Sequence, residues 1–422
     1  MRVAAGGIAA ALLMLAAAVS ASVTAGDTPT LGNWRHPTIE GLVTNPTYDA
    51  EHTLYGAWSA ANGNWTGLSW TAADGLTPVV HVSRNKNVEA WDYVKFENLN
   101  ATDAYYTAGY AEGYLTFDTI HLTYVNQIKG NVEALDASAP ATAFMNAHIA
   151  YEQQHEAETP FGAQLANQMR QIDGMYDGYV AGYNAAGRPT NITQMTWRLI
   201  YLISYNQELD NVLAKFSSER RRSQNIVNSP DMHCSALLKL TSDDLFFAHD
   251  TWTGFNAMIR QFKTYVLPPG TVVMSSYPGV ISSIDDWYMT GHGLAVMETT
   301  NGFTNASLYD FILPTQVSEF NRAMIGNYIA ETPLEWMNIF NTSNSGTYNN
   351  QYMVANMRAA RSALQGGSAL PTGTFYVGEQ IPGTIVFEDQ TEFLNTNKHW
   401  PSFNIPYYRK IQILSGYDAL QA

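Results

Sequence analysis

The chain reads HCSALLKL over residues 233–240, TSDD over 241–244 and LFFAHDTW over 245–252. The first and third pieces contain short apolar runs that predict strands, and the polar piece between them predicts a turn. We therefore expect a β-hairpin that begins at Cys234, which is the single cysteine in 422 residues. The hairpin and its cysteine are the starting point for predicting the fold.

A polar and basic segment precedes the hairpin. Residues 217–225 read SSERRRSQN and residues 228–232 read NSPDM. Polar residues with a proline and consecutive charges predict a linker, which we place at 217–233. It separates an N-terminal strand and helix part, 26–216, from a cysteine-bearing part, 234–422. Three consecutive arginines are a protease target where they are exposed, although a solvated charge run is the commoner meaning.

A cysteine that begins a strand directly after a linker has the position that an N-terminal nucleophile needs. Cleavage of the bond between His233 and Cys234 would leave an α-amine, with an ordinary pKa of about 7.7–8.0, beside a thiol near 8.5. The amine could then take the thiol proton, so no separate base is needed. The alternative is a buried, inert cysteine that acts as a small hydrophobic residue. The residues alone leave both interpretations open.

The remaining pattern mixes helices and strands without regular βαβ alternation, which predicts an α+β fold. Tyr106, Tyr110 and Tyr114 recur every four residues beside Gly109 and Gly113, which predicts a closely packed helix. We expect further helices at 141–158, 161–184, 193–216, 254–265, 316–329 and 334–340. We expect strands at 78–82, 92–96, 271–275, 294–300, 375–377 and 384–387.

Composition and charge exclude several classes of protein. Hydrophobic residues make up 46% of the chain and charged residues 14%, so a large core is expected and disorder is excluded. Asp and Glu number 37 against 22 Lys and Arg, giving a net charge of −15. No basic surface for a phosphate backbone is expected, so nucleic acid is not a predicted partner.

Residues 1–25 combine Arg2, an Ala- and Leu-rich apolar run and a small-residue end, which predicts a cleaved signal peptide rather than a membrane anchor. The sequence also holds acceptor motifs for N-linked glycans, which begin at Asn64, Asn100, Asn191, Asn305 and Asn341. Together these features predict a secreted or lysosomal glycoprotein.

Several short motifs resemble the phospholipase B-like (lamina ancestor) family, in the same order along the chain. They are AGYAEGYLT at 108–116, HCSAL at 233–237, AHDTW at 248–252, SYPG at 276–279, METT at 297–300, NSGTYNNQ at 344–351, EQIPG at 379–383 and SFNIP at 402–406. The resemblance extends from about residue 100 to residue 415.

This resemblance implies a layered αββα N-terminal-nucleophile hydrolase with a helix-rich N-terminal part, cut before its cysteine. Cys234 is then the nucleophile, and the side chains of His249 and Trp252 flank the thiol. Thr300 and Asn404 match polar positions around the reacting carbonyl. An Asn amide there could donate to a developing oxyanion.

The implied function is removal of fatty acyl chains from phospholipids through a thioester, with transient contact to a membrane surface. Two alternatives stay open: an amidase of the same fold and a non-catalytic glycoprotein that retains the fold. No cofactor or metal is expected. A zinc site would have only His233 and His249 beside one cysteine, without the usual ligand spacing.

The sequence departs from the family pattern in two ways. Asp250 stands where the family usually has Asn, and we expect its charge to raise the pKa of the thiol. The family continues beyond the SFNIP motif, and an arginine in that continuation is implied in the site. Residues 416–422 show no terminating strand or capped helix. We therefore expect an incomplete site, and less activity and stability than an extended chain would have.

Overall fold

The computed structural model describes residues 50–88, 91–154, 158–223 and 234–421. The predicted signal peptide and residues 224–233 of the predicted linker lie outside the described residues. The strands are β1 (Ala50–Ser59), β2 (Asn64–Ser69), β3 (Thr77–Val88), β4 (Trp91–Asn98), β5 (Cys234–Leu240), β6 (Leu245–Thr251), β7 (Arg260–Leu267), β8 (Gly270–Ser276), β9 (Trp287–Thr290), β10 (Leu294–Thr300), β11 (Asn350–Asn356), β12 (Phe375–Ile381), β13 (Thr384–Asp389) and β14 (His399–Ser402).

Helices occur in both predicted parts of the chain. They are α1 (Ala104–Thr123), α2 (Lys129–Asp136), α3 (Ala139–Gln153), α4 (Pro160–Ala185), α5 (Trp197–Ser204), α6 (Asn206–Lys215), α7 (Ser218–Ser223), α8 (Glu319–Ile329), α9 (Pro333–Asn341), α10 (Met357–Gln365), α11 (Thr391–Asn397), α12 (Arg409–Ser415) and α13 (Asp418–Gln421). The short helix α7 begins within the segment predicted as a linker.

Local sequence explains where several helices begin. Helix α4 starts with Pro160, and the side chain of Thr159 accepts a hydrogen bond from the backbone of Gly162. Helix α9 has a complete capping box, in which Thr332 and Glu335 each accept from the other's backbone. These side chains satisfy backbone donors that the helix itself leaves unpaired.

Eleven strands form one sheet in the order β13-β12-β11-β10-β9-β8-β7-β4-β3-β1-β2. Strand β4 pairs with β7 in parallel, whereas the neighbouring pair β7 and β8 is antiparallel. A parallel pair needs a long crossover, and the chain between β4 and β7 includes helices α1 to α7 and the hairpin. The two predicted parts of the chain therefore contribute to the same sheet.

The second sheet has three strands in the order β14-β5-β6, and β5 and β6 contact β10 of the large sheet. Ala236 and Leu238 of the small sheet share a core with Met297 and Met353 of the large one. A separate core on the large sheet includes Val296 and Val354 together with residues of α1, α8 and α9. The fold is thus mixed α+β, as predicted.

The tyrosine and glycine stripe of α1 packs against α4. A Cβ atom on Gly109 or Gly113 would overlap the backbone of α4, and one on Gly174 or Gly178 would overlap the backbone of α1. Because four glycines face each other, the two helix backbones approach closely. The predicted close packing of this helix is confirmed.

The predicted strands at 78–82, 92–96, 271–275, 294–300, 375–377 and 384–387 all lie in strands of the structure. The predicted helix at 193–216 is divided into α5 and α6 around Tyr205. The predicted helix at 254–265 is wrong. A 3₁₀ turn, Phe255–Ala257, and strand β7 occupy this segment. The inward positions of β7 include Gln261 and Lys263, so the strand's alternation of burial is not an alternation of hydrophobicity.

Strands β9, β11 and β14 were not predicted from the sequence, and the end of the chain also differs from the expectation. Gly416 terminates helix α12 with φ +82°, the left-handed backbone that glycine adopts readily, and α13 follows. The expectation that residues 416–422 contain no capped helix end is therefore wrong.

Candidate active site

Strand register positions the groups around the cysteine. In the hairpin, Cys234 lies opposite Thr251, and Ala236 lies opposite His249. On the other side of β5, Ser402 of β14 is paired with Ala236. Side chains on a strand alternate between faces, so Cys234 and His249 share a face of the small sheet. The turn after β14 brings Asn404 next to the start of β5.

Asn404 links the backbone of the cysteine to the end of β10. The backbone N–H of Cys234 donates to Oδ1 of Asn404 at 2.8 Å, and Nδ2 of Asn404 donates to the carbonyl oxygen of Thr300 at 2.7 Å. Asn404 is buried and has φ +64°, a left-handed conformation that asparagine tolerates better than most residues. Both ends of its amide are thus engaged, and the second hydrogen of Nδ2 has no hydrogen bond assigned to it among the described residues.

His249 and Glu298 complete the immediate surroundings of the thiol. Cys234 is 8% exposed, and the Sγ atom, one ring nitrogen of His249 and one carboxylate oxygen of Glu298 lie within 4.8 Å of one another. Nδ1 of His249 is 3.2 Å from Oγ1 of Thr251. Its Nε2 atom is buried and has no hydrogen-bond partner among the described residues. The imidazole is therefore oriented on one side and available on the other.

Glu298 belongs to a buried carboxyl cluster. The hydroxyl of Tyr348 lies 2.7 Å from Oδ2 of Asp286 and 3.2 Å from Oε1 of Glu298, and Glu319 is buried nearby. Burial raises the pKa of Asp286 well above its usual range, and the charge of Glu298 raises it further. Burial also raises the pKa of Glu298, and the charge of Glu319 adds to this shift. The cluster therefore retains protons at pH values where exposed carboxyls are ionised.

The pKa of the Cys234 thiol is raised for the same reasons as the pKa values of the carboxyl cluster. Burial raises the pKa of Cys234 well above its usual range, and the charges of Glu298, Asp286 and Asp285 raise it further. A hydrogen bond from the backbone of Trp252 opposes this shift. The thiol of the uncleaved chain is therefore held in its neutral form.

Asp250 has a different position from the one we expected. It is paired with Ser235, so it projects from the face of the hairpin opposite to Cys234, and it is exposed. The structure assigns the electrostatic effect on the thiol to the buried carboxyls of Glu298, Asp286 and Asp285 instead.

The indole of Trp252 is 52% exposed, one residue beyond the end of β6. Its backbone, rather than its side chain, has a described interaction with the thiol. Thr300 contributes its backbone carbonyl through the bond to Asn404. The structure thus brings together four of the predicted residues and places the fifth, Trp252, at the surface beside them.

Sequence reasoning missed Glu298, Asp286, Tyr348 and Arg260. Arg260 forms an ion pair with Asp285 and lies 4.9 Å above the ring of Tyr277. It is a fixed positive charge beside the acidic residues, in a region where we expected an arginine to be lacking. Glu298 and Tyr348 lie within motifs already noted at 297–300 and 344–351, which was the available signal.

The fold and the site define a mixed α+β protein in which a buried cysteine begins a strand beside a histidine and a carboxyl cluster. Residues 87–422 match the sequence model of the family described as Phospholipase B. The chain belongs to this family.

Similar proteins carry the same family name. The chain is 34% identical over 332 residues to Phospholipase B-like protein B of Dictyostelium discoideum, which covers 74% of this chain and 56% of that protein. It is 31% identical to Phospholipase B of Crotalus adamanteus, over 74% of this chain and 58% of that protein. It is 31% identical to Phospholipase B-like 1 of Homo sapiens, over 75% and 58% of the two chains. The chain thus spans a little more than half the length of these relatives.

Among the described residues, no helix combines the length and apolar character that crossing a membrane requires.

Proposed function

We propose that this chain is the precursor of an acyl hydrolase that uses Cys234 as its nucleophile after cleavage of the bond between His233 and Cys234. The observation that carries the proposal is the start of β5. Cys234 is the first residue of the strand, its nitrogen is held by Asn404, and His249 and Glu298 surround its thiol. An N-terminal nucleophile requires that its nitrogen and its thiol are both held in fixed positions. His233 lies outside the described residues.

In the proposed maturation, Sγ of Cys234 attacks the carbonyl carbon of His233. The C–N bond breaks as the nitrogen gains a proton, which leaves a thioester and a free α-amine. Water then hydrolyses the thioester, releasing the carboxylate of His233 and restoring the thiol. The bond from Cys234 to Asn404 fixes the nitrogen during these steps.

In the proposed turnover, the α-amine takes the thiol proton and Sγ attacks the acyl carbonyl of the substrate. The leaving alcohol departs with a proton, and water hydrolyses the acyl thioester to a fatty acid. His249 can also accept a proton, because burial lowers its pKa and favours the neutral imidazole.

For the substrate we propose the fatty acyl esters of phospholipids. The support is the family membership and the name phospholipase B of the Crotalus adamanteus relative. Exposed apolar side chains also lie next to site residues along the chain: Trp252 and Phe255 come shortly after His249, and Phe403 directly precedes Asn404. Such side chains suit transient contact with a membrane surface and acyl chains. The amidase and the non-catalytic glycoprotein remain the alternatives.

For the fold we propose the αββα layering of N-terminal-nucleophile hydrolases. Its support is the contact of β5 and β6 with β10, together with helices on another core of the large sheet.

For location we propose a secreted or lysosomal protein that carries N-linked glycans. Its support is the pattern of residues 1–25 and the acceptor motifs, of which Asn191 and Asn341 are exposed. The side chain of Asn64 lies outside the described residues.

The test is the mass of the mature polypeptides. We expect the full chain, expressed in secretory eukaryotic cells, to yield a fragment that begins with Cys234 and hydrolyses phosphatidylcholine. Cys234→Ala should stay uncut, whereas the neighbouring control Ser235→Ala should be cut normally. A chain that hydrolyses lipid while uncut at this bond would overturn the mechanism. A cut chain that cleaves N-acyl amides but not esters would favour the amidase.

A further inference from the structure

The thiol of Cys234, the imidazole of His249 and the carboxyl of Glu298 lie together, and all three side-chain types are common metal ligands. Zn²⁺ in proteins is bound by cysteine sulfur, histidine nitrogen and carboxylate oxygen. Cys234, His249 and Glu298 supply one of each, within 4.8 Å of one another. Donor atoms of a tetrahedral zinc site lie about 3.3–3.7 Å apart, given bond lengths of about 2.0–2.3 Å. Closing the observed cluster around an ion therefore needs movements of only about 1 Å.

The histidine is independently prepared for such a role. Its Nδ1 atom is 3.2 Å from the hydroxyl of Thr251, while its buried Nε2 atom has no hydrogen-bond partner among the described residues. A hydrogen bond at one ring nitrogen orients the ring and leaves the other nitrogen for a ligand. Unpartnered buried polar atoms are uncommon in native structures. A bound cation would satisfy this one.

We propose that Cys234, His249 and Glu298 form a binding site for a zinc-like divalent cation, which blocks the thiol. As the metal–sulfur and metal–oxygen bonds form, the thiol proton and the proton held by the buried carboxyl of Glu298 leave to solvent. Three protein ligands leave a fourth position open. In the cleaved chain, which rests on the proposed function, the α-amine of Cys234 would occupy it.

Cobalt(II) titration of the full chain tests this site, because a cobalt–thiolate bond absorbs in the near ultraviolet. We expect a band that saturates at about one equivalent, is displaced by Zn²⁺ and is absent in Cys234→Ser. His249→Gln and Glu298→Gln should each weaken binding by about tenfold or more. The matched control is His81→Gln. The Nε2 atom of His81 lies 2.8 Å from a carboxylate oxygen of Glu51, on a strand that does not form part of the cluster around the thiol. Absence of the band, or unchanged affinity in both His249→Gln and Glu298→Gln, would overturn the proposal.

A second measurement does not depend on the folding of variants. Cys234 is the single cysteine, so iodoacetamide modification reports on this thiol alone. Zn²⁺ should protect the thiol of the unmodified chain, and a chelator should restore its reactivity; lack of protection would overturn the site.

An uncut, inactive chain that still gives the cobalt band refutes the proposed function and supports the metal site. A cut, active chain without the band does the reverse.

Discussion

Two groups of buried charges show how differently this fold treats ionisable side chains. Lys263 of β7 and Glu112 of α1 are fully buried and lie 2.6 Å apart. Lys263 also donates to the carbonyl of Val280, and Glu112 accepts from Tyr265 and from the backbone of Gly279. Near the thiol, by contrast, burial raises the pKa of both Asp286 and Glu298. The charge of Glu298 raises the pKa of Asp286 further, whereas a hydrogen bond with Asp286 lowers the pKa of Glu298.

The difference separates a group of residues that holds the fold together from the group at the candidate site. A buried ion pair with complete hydrogen bonds fixes the positions of its elements, here α1, β7 and the SYPG segment. Buried carboxyl groups that lie close together destabilise the fold when they ionise, so they hold their protons with unusual affinity. Such raised pKa values are typical of groups at a reactive site. Breaking each group in turn should therefore have opposite consequences.

The largest effect is expected from Lys263→Met, which leaves Glu112 buried without its partner. Loss of one member of a buried pair costs about 3–5 kcal/mol of unfolding free energy. The double variant Lys263→Met/Glu112→Gln should recover part of this loss, because no charge then remains unpaired. Denaturant unfolding of the variants and the parent chain measures both effects. A single variant as stable as the parent would show that the pair does not hold the elements together.

The next effect concerns pH. Burial raises the pKa of Glu208 from 4.5 to about 7. The folded chain then binds this proton more tightly than the unfolded chain. The associated stability is present below pH 4.5 and is lost as the pH rises towards 7, by up to about 3 kcal/mol. We expect the melting temperature to rise as the pH is lowered from 7 to 5.

The variant Glu208→Gln isolates this contribution. His148 and His249 oppose the trend below pH 6.5, because burial lowers the pKa of both. The difference in melting temperature between Glu208→Gln and the parent should nevertheless change with pH over this interval. The same difference in melting temperature at pH 5 and at pH 7 would contradict the raised pKa of Glu208.

A smaller effect is expected at the thiol. Glu298→Gln removes the carboxyl with the largest electrostatic influence on Cys234, so the pKa of the thiol should fall. Iodoacetamide modification at pH 8 should become several-fold faster. Asp250→Asn is the matched control, because it removes a charge from the opposite face of the hairpin. A larger acceleration in Asp250→Asn than in Glu298→Gln would restore the interpretation made from sequence.

The smallest effect distinguishes two glycan acceptors. Nδ2 of Asn305 donates to the carbonyl of Leu414 at 3.0 Å, whereas Asn341 is exposed at the end of α9. A glycan on Asn305 would have to replace a hydrogen on a partly buried nitrogen that already contacts this carbonyl, so we expect Asn341 to be occupied more fully. Glycopeptide mapping of the secreted chain measures both. Removing the Asn305 acceptor with Thr304 unchanged, as Ser307→Ala, should alter the mass of the secreted chain little or not at all.

The parts of the fold that sequence predicted are those with local signals. The hairpin at Cys234 was found because apolar runs flank a polar turn, and the close packing of α1 was found from Gly109 and Gly113. Strand β7 was missed because its inward residues include Gln261 and Lys263. Their partners, Asp92 and Glu112, lie more than a hundred residues earlier in the chain. No short window contains that information.

The family, the cysteine at the head of a strand and the order of the motifs could be predicted from the sequence, since they depend on residues close together in the chain. Which charges face the thiol depends on how distant strands pack. Asp250 is sixteen residues from Cys234 in the chain but projects from the other face of the hairpin. Glu298 of β10 and Asp286, which directly precedes β9, act on the thiol of Cys234 instead. Coulomb energy depends on distance in space and on burial, and strand register rather than sequence separation sets both.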